Sequence, residues 1–212
     1  MSTFLKTLTI LFFSLMALGL QAEPKPEAAP IAATQTQTAS IVVFKTSLGE
    51  VQIELFADKA PVSVQNFLRY VDSGFYNGVI FHRVVPGFVV QGGGFDREYQ
   101  RKNTSPPILN ESDNGEKNLR GTLSLARTGD PNSATSQFFI NLIDNQQLDG
   151  ASGRPGYAVF GRVIDGMKVV DAMAEQPQGK HTGVFMNAPN EPIVIESAYR
   201  KASEPKTAQP KN

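Results

Sequence analysis

Three features of the stretch FHRVVPGFVVQGGGF, residues 81–95, could carry chemistry. His82 could move a proton, Arg83 could stabilise developing charge, and Gly92-Gly93-Gly94 could cradle a phosphate. A phosphate cradle needs its glycines to feed a helix N-terminus. Residues 95–102 (FDREYQRK) instead lack an apolar helical period, Pro106-Pro107 follow, and no Lys-Ser/Thr completes a Walker motif. These glycines therefore read as backbone geometry, allowing a sharp turn or a close approach. The histidine has little company. The only other one, His181, is expected in a polar loop, QGKHTG, and neither an HExxH nor a GxSxG motif is present. No metal site is expected. With no cysteine anywhere, disulfides, thiol catalysis and thiolate ligation are also excluded. His82 reads as a packed or hydrogen-bonded strand histidine, with a general base as the chemical alternative. In a single strand Phe81, Arg83 and Val85 would share one face, and His82 and Val84 the other. An arginine among apolar neighbours is either an ion-paired structural residue or a fixed donor facing a hydrophobic groove.

The elements that must position these residues are mostly strands. Runs 41–46 and 50–56 flank a turn at Ser47-Leu48-Gly49, and Val51, Ile53 and Leu55 alternate with polar residues. Pro61 opens a helix in which Val64, Phe67, Leu68 and Val71 form one apolar stripe, and Gly74 ends it. Further strands are expected at 79–85, 121–126, 137–142, 157–164 and 192–199. Asp165 can cap a second helix at 166–175. Strands and helices do not alternate, which favours an antiparallel barrel or sandwich with helical additions over a doubly wound parallel sheet. There is no internal repeat.

The ends differ from this domain. Residues 1–6 carry one lysine, residues 8–20 are continuously apolar, and Gln21-Ala22 precedes the abrupt change to EPKP. That layout reads as a secretory signal peptide, residues 1–22, with an uncleaved membrane anchor as the alternative, for which the run is short of the about 20 apolar residues a span needs. Cleavage would leave a secreted chain with no stable membrane insertion. Residues 23–40, rich in Pro, Ala, Thr and Gln, read as a disordered linker, and 201–212 as a polar tail. The folded domain is then 41–200. With 20 basic and 20 acidic residues and no basic run, no nucleic-acid partner is expected.

The stretch 81–93, FHRVVPGFVVQGG, resembles the cyclophilin signature FHRxxPxFxxQGG. Residues 121–127 (GTLSLAR) through Ser136-Gln137-Phe138-Phe139-Ile140 look like the family's GxxxMA…SQFFI segment. Leu148-Asp149-Gly150 followed by 157–163 (YAVFGRV) is similar to its LDG…VFGxV block. Three long motifs in order make the match specific, and the chain most resembles the bacterial periplasmic members, which with the signal peptide implies a periplasmic location. The resemblance implies a mainly β fold, a closed eight-stranded antiparallel barrel capped by two α-helices. It implies peptidyl-prolyl cis–trans isomerase activity on proline-containing polypeptides, without a metal or organic cofactor, from a monomer.

By the same resemblance Arg83 is the catalytic residue. Phe88, Phe139 and Leu148 form the proline pocket, Gln91 positions the arginine, and Ala126 and Gln137 line the groove, with Arg127 beside them. Val89 stands where eukaryotic members carry methionine, Tyr157 where they carry histidine, and Gln147 where they carry tryptophan. The chain has no tryptophan at all. Weak cyclosporin binding is therefore expected, because an indole supplies both apolar area and a donor. The competing function is a binding module or holdase that grips proline segments without turnover. The joint presence of Arg83, Phe88, Gln91, Phe139 and Leu148 argues against it.

Overall fold

Alternation of apolar and polar residues builds the first two strands, β1 (Ile41–Thr46) and β2 (Gly49–Leu55), which pair as an antiparallel hairpin. Helix α1 (Pro61–Asp72) follows, with proline in its first turn. All four residues of its apolar stripe are buried. Its N-terminus lacks a side-chain cap of its own. The Glu111 carboxylate does that work, accepting from Val62 N (3.0 Å) and Ser63 N (2.7 Å) and placing negative charge on the positive end of the helix. In this computed structural model the described residues are 40–181 and 185–202. The leader, nearly all of the linker and most of the polar tail lie outside them.

Short strands complete the sheet: β3 (Val79–Ile80), β4 (Arg83–Val85), β5 (Val89–Gly92), β6 (Thr122–Leu125), β7 (Phe138–Asn141), β8 (Val159–Asp165) and, after helix α2 (Met167–Glu175), β9 (Gln178–His181), β10 (Phe185–Pro189) and β11 (Val194–Arg200). Nine of them form one antiparallel sheet in the order β3-β11-β1-β2-β8-β6-β7-β5-β4, and β9 pairs with β10 separately. The sheet curls around a core centred on Phe44, Phe67, Tyr76, Phe138 and Phe160, with α1 packed against it. Phe67 touches Phe160 at 5.0 Å and meets Phe138 nearly edge-on at 5.8 Å, a favoured aromatic geometry. The two ends of the described domain meet: Lys201 N donates to Ile41 O at 2.8 Å. No helix among the described residues is long and apolar enough to cross a membrane.

Several expectations need correction. The sheet is open and nine-stranded, not a closed eight-stranded barrel. Its edge strands β3 and β4 are consecutive in the chain, and between them the backbone leaves the ladder. Ile80 N donates to Phe95 O and Phe81 N to Ile193 O, both at 2.9 Å. The expected single strand 79–85 is thus split at Phe81-His82. That break turns Phe81 into the core against Phe138, so it does not share a face with Arg83. Asp165 ends β8 and is not a helix cap; Gly166, at φ 87°, takes that place, and a Cβ there would come within 2.3 Å of Glu50 O. His181 belongs to a strand and stacks on Tyr99 at 3.9 Å.

Candidate functional site

The site grows from one row across three strands. Arg83 on β4 is the register partner of Gln91 on β5, and Gln91 is the partner of Phe139 on β7. Neighbouring strands lie about 4.8 Å apart, so the three side chains project side by side from the sheet's outer face. Val84, one residue along, points into the core and is fully buried. Gly93 makes this row possible. Its φ is +93°, and a Cβ there would lie 2.6 Å from Ser136 O, so glycine lets the end of β5 close onto the segment leading into β7.

Amide side chains fix the arginine. Arg83 Nη1 donates to Gln91 Oε1 at 3.3 Å, and Gln91 Nε2 donates to Gln137 Oε1 at 3.1 Å. The Arg83 guanidinium stands 5.9 Å from the Phe88 ring centre. A cavity of about 240 Å³ opens beside it, lined by Arg83, Phe88, Val89, Gln91, Ala126, Arg127, Phe139, Leu148 and Tyr157. Eight of the nine expected site residues therefore converge. The ninth, Gln137, sits one step back, behind Gln91. The volume falls below the roughly 300–1,000 Å³ of typical small-molecule pockets, which suits one side chain better than a cofactor. Among the described residues no group of three His, Asp or Glu side chains could hold a metal.

A buried polar pedestal supports the apolar walls, and its residues carry no signal in the sequence pattern. Asn145 Nδ2 donates to Phe88 O (3.0 Å) and to Asn141 Oδ1 (2.8 Å). Asn118 donates from both its backbone and its side chain to Asp149 Oδ1, next to Leu148. Asn118, Asn141 and Asn145 are almost wholly buried, and each finds partners that offset its desolvation. Asparagine reads as a turn residue in sequence, so only the tertiary partners reveal this role.

His82 lies elsewhere. It packs against Phe95 (4.7 Å) and Phe185 (5.9 Å), and its Nδ1 has no hydrogen-bond partner. Burial, reinforced by the charge of Arg83, lowers its pKa to about 4, so it is neutral at pH 7. It does not line the cavity. Together these features give a site with a fixed cationic donor, apolar walls and no acid–base pair.

The chain is similar to known proteins. Residues 41–200 match the family model described as cyclophilin type peptidyl-prolyl cis-trans isomerase/CLD. The chain is 55% identical over 161 residues to peptidyl-prolyl cis-trans isomerase A of Dickeya dadantii, covering 76% of this chain and 84% of that one. It is 50% identical to peptidyl-prolyl cis-trans isomerase B of Escherichia coli, covering 74% and 97%. A crystal structure of a cyclophilin type peptidyl-prolyl cis-trans isomerase from Cryptosporidium parvum superposes with a TM-score of 0.66 at 29% identity, covering 79% of this chain and all of that one. That protein was also solved in the presence of the dipeptide Ala-Pro, with a TM-score of 0.65. A row of Arg, Gln and Phe on a curled antiparallel sheet, and a family match running the length of that sheet, lead to one assignment: the chain belongs to the cyclophilin-type peptidyl-prolyl cis–trans isomerases.

Proposed function

We propose that the cavity takes the ring of a proline within a polypeptide and that Arg83 accelerates rotation about the preceding peptide bond. The observation that supports this most directly is the Arg83 guanidinium, held by Gln91, at the edge of a pocket whose walls include Phe88, Val89, Ala126, Phe139, Leu148 and Tyr157. The barrier to rotation, about 18–20 kcal/mol, comes from amide resonance. Twisting the bond ends that resonance and localises the lone pair on the prolyl nitrogen. A guanidinium N–H can donate to that nitrogen in the twisted state and not in the planar one, so its contribution falls on the transition state. No nucleophile, base, metal or organic cofactor is required, nor a second subunit. Phe88, Phe139 and Leu148 grip the ring while the acyl side turns.

The physiological role that follows is to speed slow X–Pro steps in folding polypeptides of the periplasm. The positive, apolar and small-residue layout of residues 1–22 supports that location. A protease-coupled assay on a proline tetrapeptide, together with refolding of a protein limited by X–Pro isomerisation, tests the reading. Acceleration at substoichiometric protein is expected. An effect only at one-to-one ratio would make the chain a holdase instead. Gln147 bonds to Asn145 at 3.1 Å and brings no indole to the rim, which supports weak cyclosporin binding. Titration should give micromolar inhibition; a nanomolar constant would overturn that expectation.

A further inference from the structure

Arg127 lines the same cavity as Arg83, yet each of its three guanidinium nitrogens already donates to a backbone carbonyl. Nε donates to Gly156 O at 3.1 Å, Nη2 to Pro155 O at 2.8 Å, and Nη1 to Thr128 O at 2.9 Å. The carbonyls of the chain thus hold every guanidinium nitrogen. The Arg127 Cζ lies 4.6 Å from the Tyr157 ring centre, a cation–π contact anchored by a planar fork that lysine lacks. Tyr157 in turn meets Phe139 edge-on at 5.6 Å, and Tyr157 N donates to Leu148 O at 2.9 Å. Residues 149–156 leave the fold at Leu148 and return at Tyr157, so Leu148 and Tyr157 form the neck of an eight-residue excursion. Asn110 Nδ2 and Ser112 Oγ hold the far side of that neck at Gly156. Arg127 is the clamp on the cavity side.

We propose that Arg127 is a positioning residue, which sets the proline-facing wall by holding Tyr157, and through it the spacing to Phe139 and Leu148. It does not contact the rotating amide and does not read substrate charge. This inference rests on the cavity being the proline site. Its consequence is a defined split in the kinetics: loosening the wall weakens grip on the ring, while the Arg83 donor and its Gln91 support stay in place.

The test is a double-mutant cycle with steady-state kinetics on proline tetrapeptides. Arg127→Ala should raise KM about tenfold and leave kcat within about twofold. In a Tyr157→Ala background the same substitution should add less than about twofold, because the group it positions is gone. Arg127→Lys should lose nearly as much as Arg127→Ala, and the loss should be equal for peptides with neutral and acidic residues before proline. Additive losses in the cycle, full rescue by lysine, or a loss confined to acidic peptides would each overturn the proposal. So would a lowered melting temperature with unchanged KM, which would mark a purely structural clamp. Should Arg127→Ala fail to fold, the lysine variant carries the cycle. Arg83→Ala separates the two levels: a normal kcat in that variant sinks the site reading itself, whereas a collapsed kcat with an additive Arg127–Tyr157 cycle sinks only this inference.

Discussion

His82 and Arg83 are adjacent in the chain and occupy opposite kinds of environment. Arg83 projects into a half-exposed groove, held by a relay of two glutamines. His82 is 5% exposed, sits among Phe95 and Phe185, and keeps an unpaired ring nitrogen. The residue type usually associated with proton transfer has been made inert by burial. The residue that carries a guanidinium faces the cavity. Bond rotation transfers no proton, so it gains nothing from a group poised near neutral pH and can rely on a charge that never switches.

The comparison can be broken most severely at the arginine. Arg83→Ala should lower kcat/KM by about 10²–10³-fold with an unchanged melting temperature, whereas His82→Leu should leave the rate within about twofold. The reverse pattern would return catalysis to the histidine. Stability should respond to His82 alone. Its folded pKa, about 4, lies below the ordinary 6.5. Between these values the unfolded chain binds a proton that the folded chain refuses. The stabilising effect of keeping the ring neutral is therefore complete above about pH 6.5 and declines as pH falls towards 4, by about 3 kcal/mol in all. Chemical denaturation from pH 7 to 4 should show this slope in the wild type and a flatter one in His82→Leu; equal slopes would sink the assignment. The smallest effect belongs to the relay. Gln91→Ala frees Arg83 without removing its charge and should cost about tenfold in kcat/KM. No loss would show that the guanidinium needs no such support.

How much of this could be read beforehand depended on whether the cause was local. Helix α1 was legible because its stripe and its proline obey a 3.6-residue period, but its cap was not, since Glu111 lies 48 residues from Ser63. Strand β5 was obscured by the glycines that follow it, which serve close packing against the segment before β7. Strands β9 and β10 pair outside the main sheet, so no buried face imposes alternation on QGKH. The expected site residues stood out through three motifs, and the structure sets eight of the nine around one space. What the motifs could not convey was the break at Phe81-His82, which sends two adjacent aromatic rings into different clusters and keeps the sheet open.

The bond between Lys201 and Ile41 has a consequence for architecture on a larger scale. A domain whose chain enters and leaves at one point behaves as a cassette: host polypeptides can carry it on a single stalk or accept it within a loop without stretching either side. Whatever lies before residue 41 or after residue 201 attaches at that shared junction, so both extensions would pull on the same pair of strands.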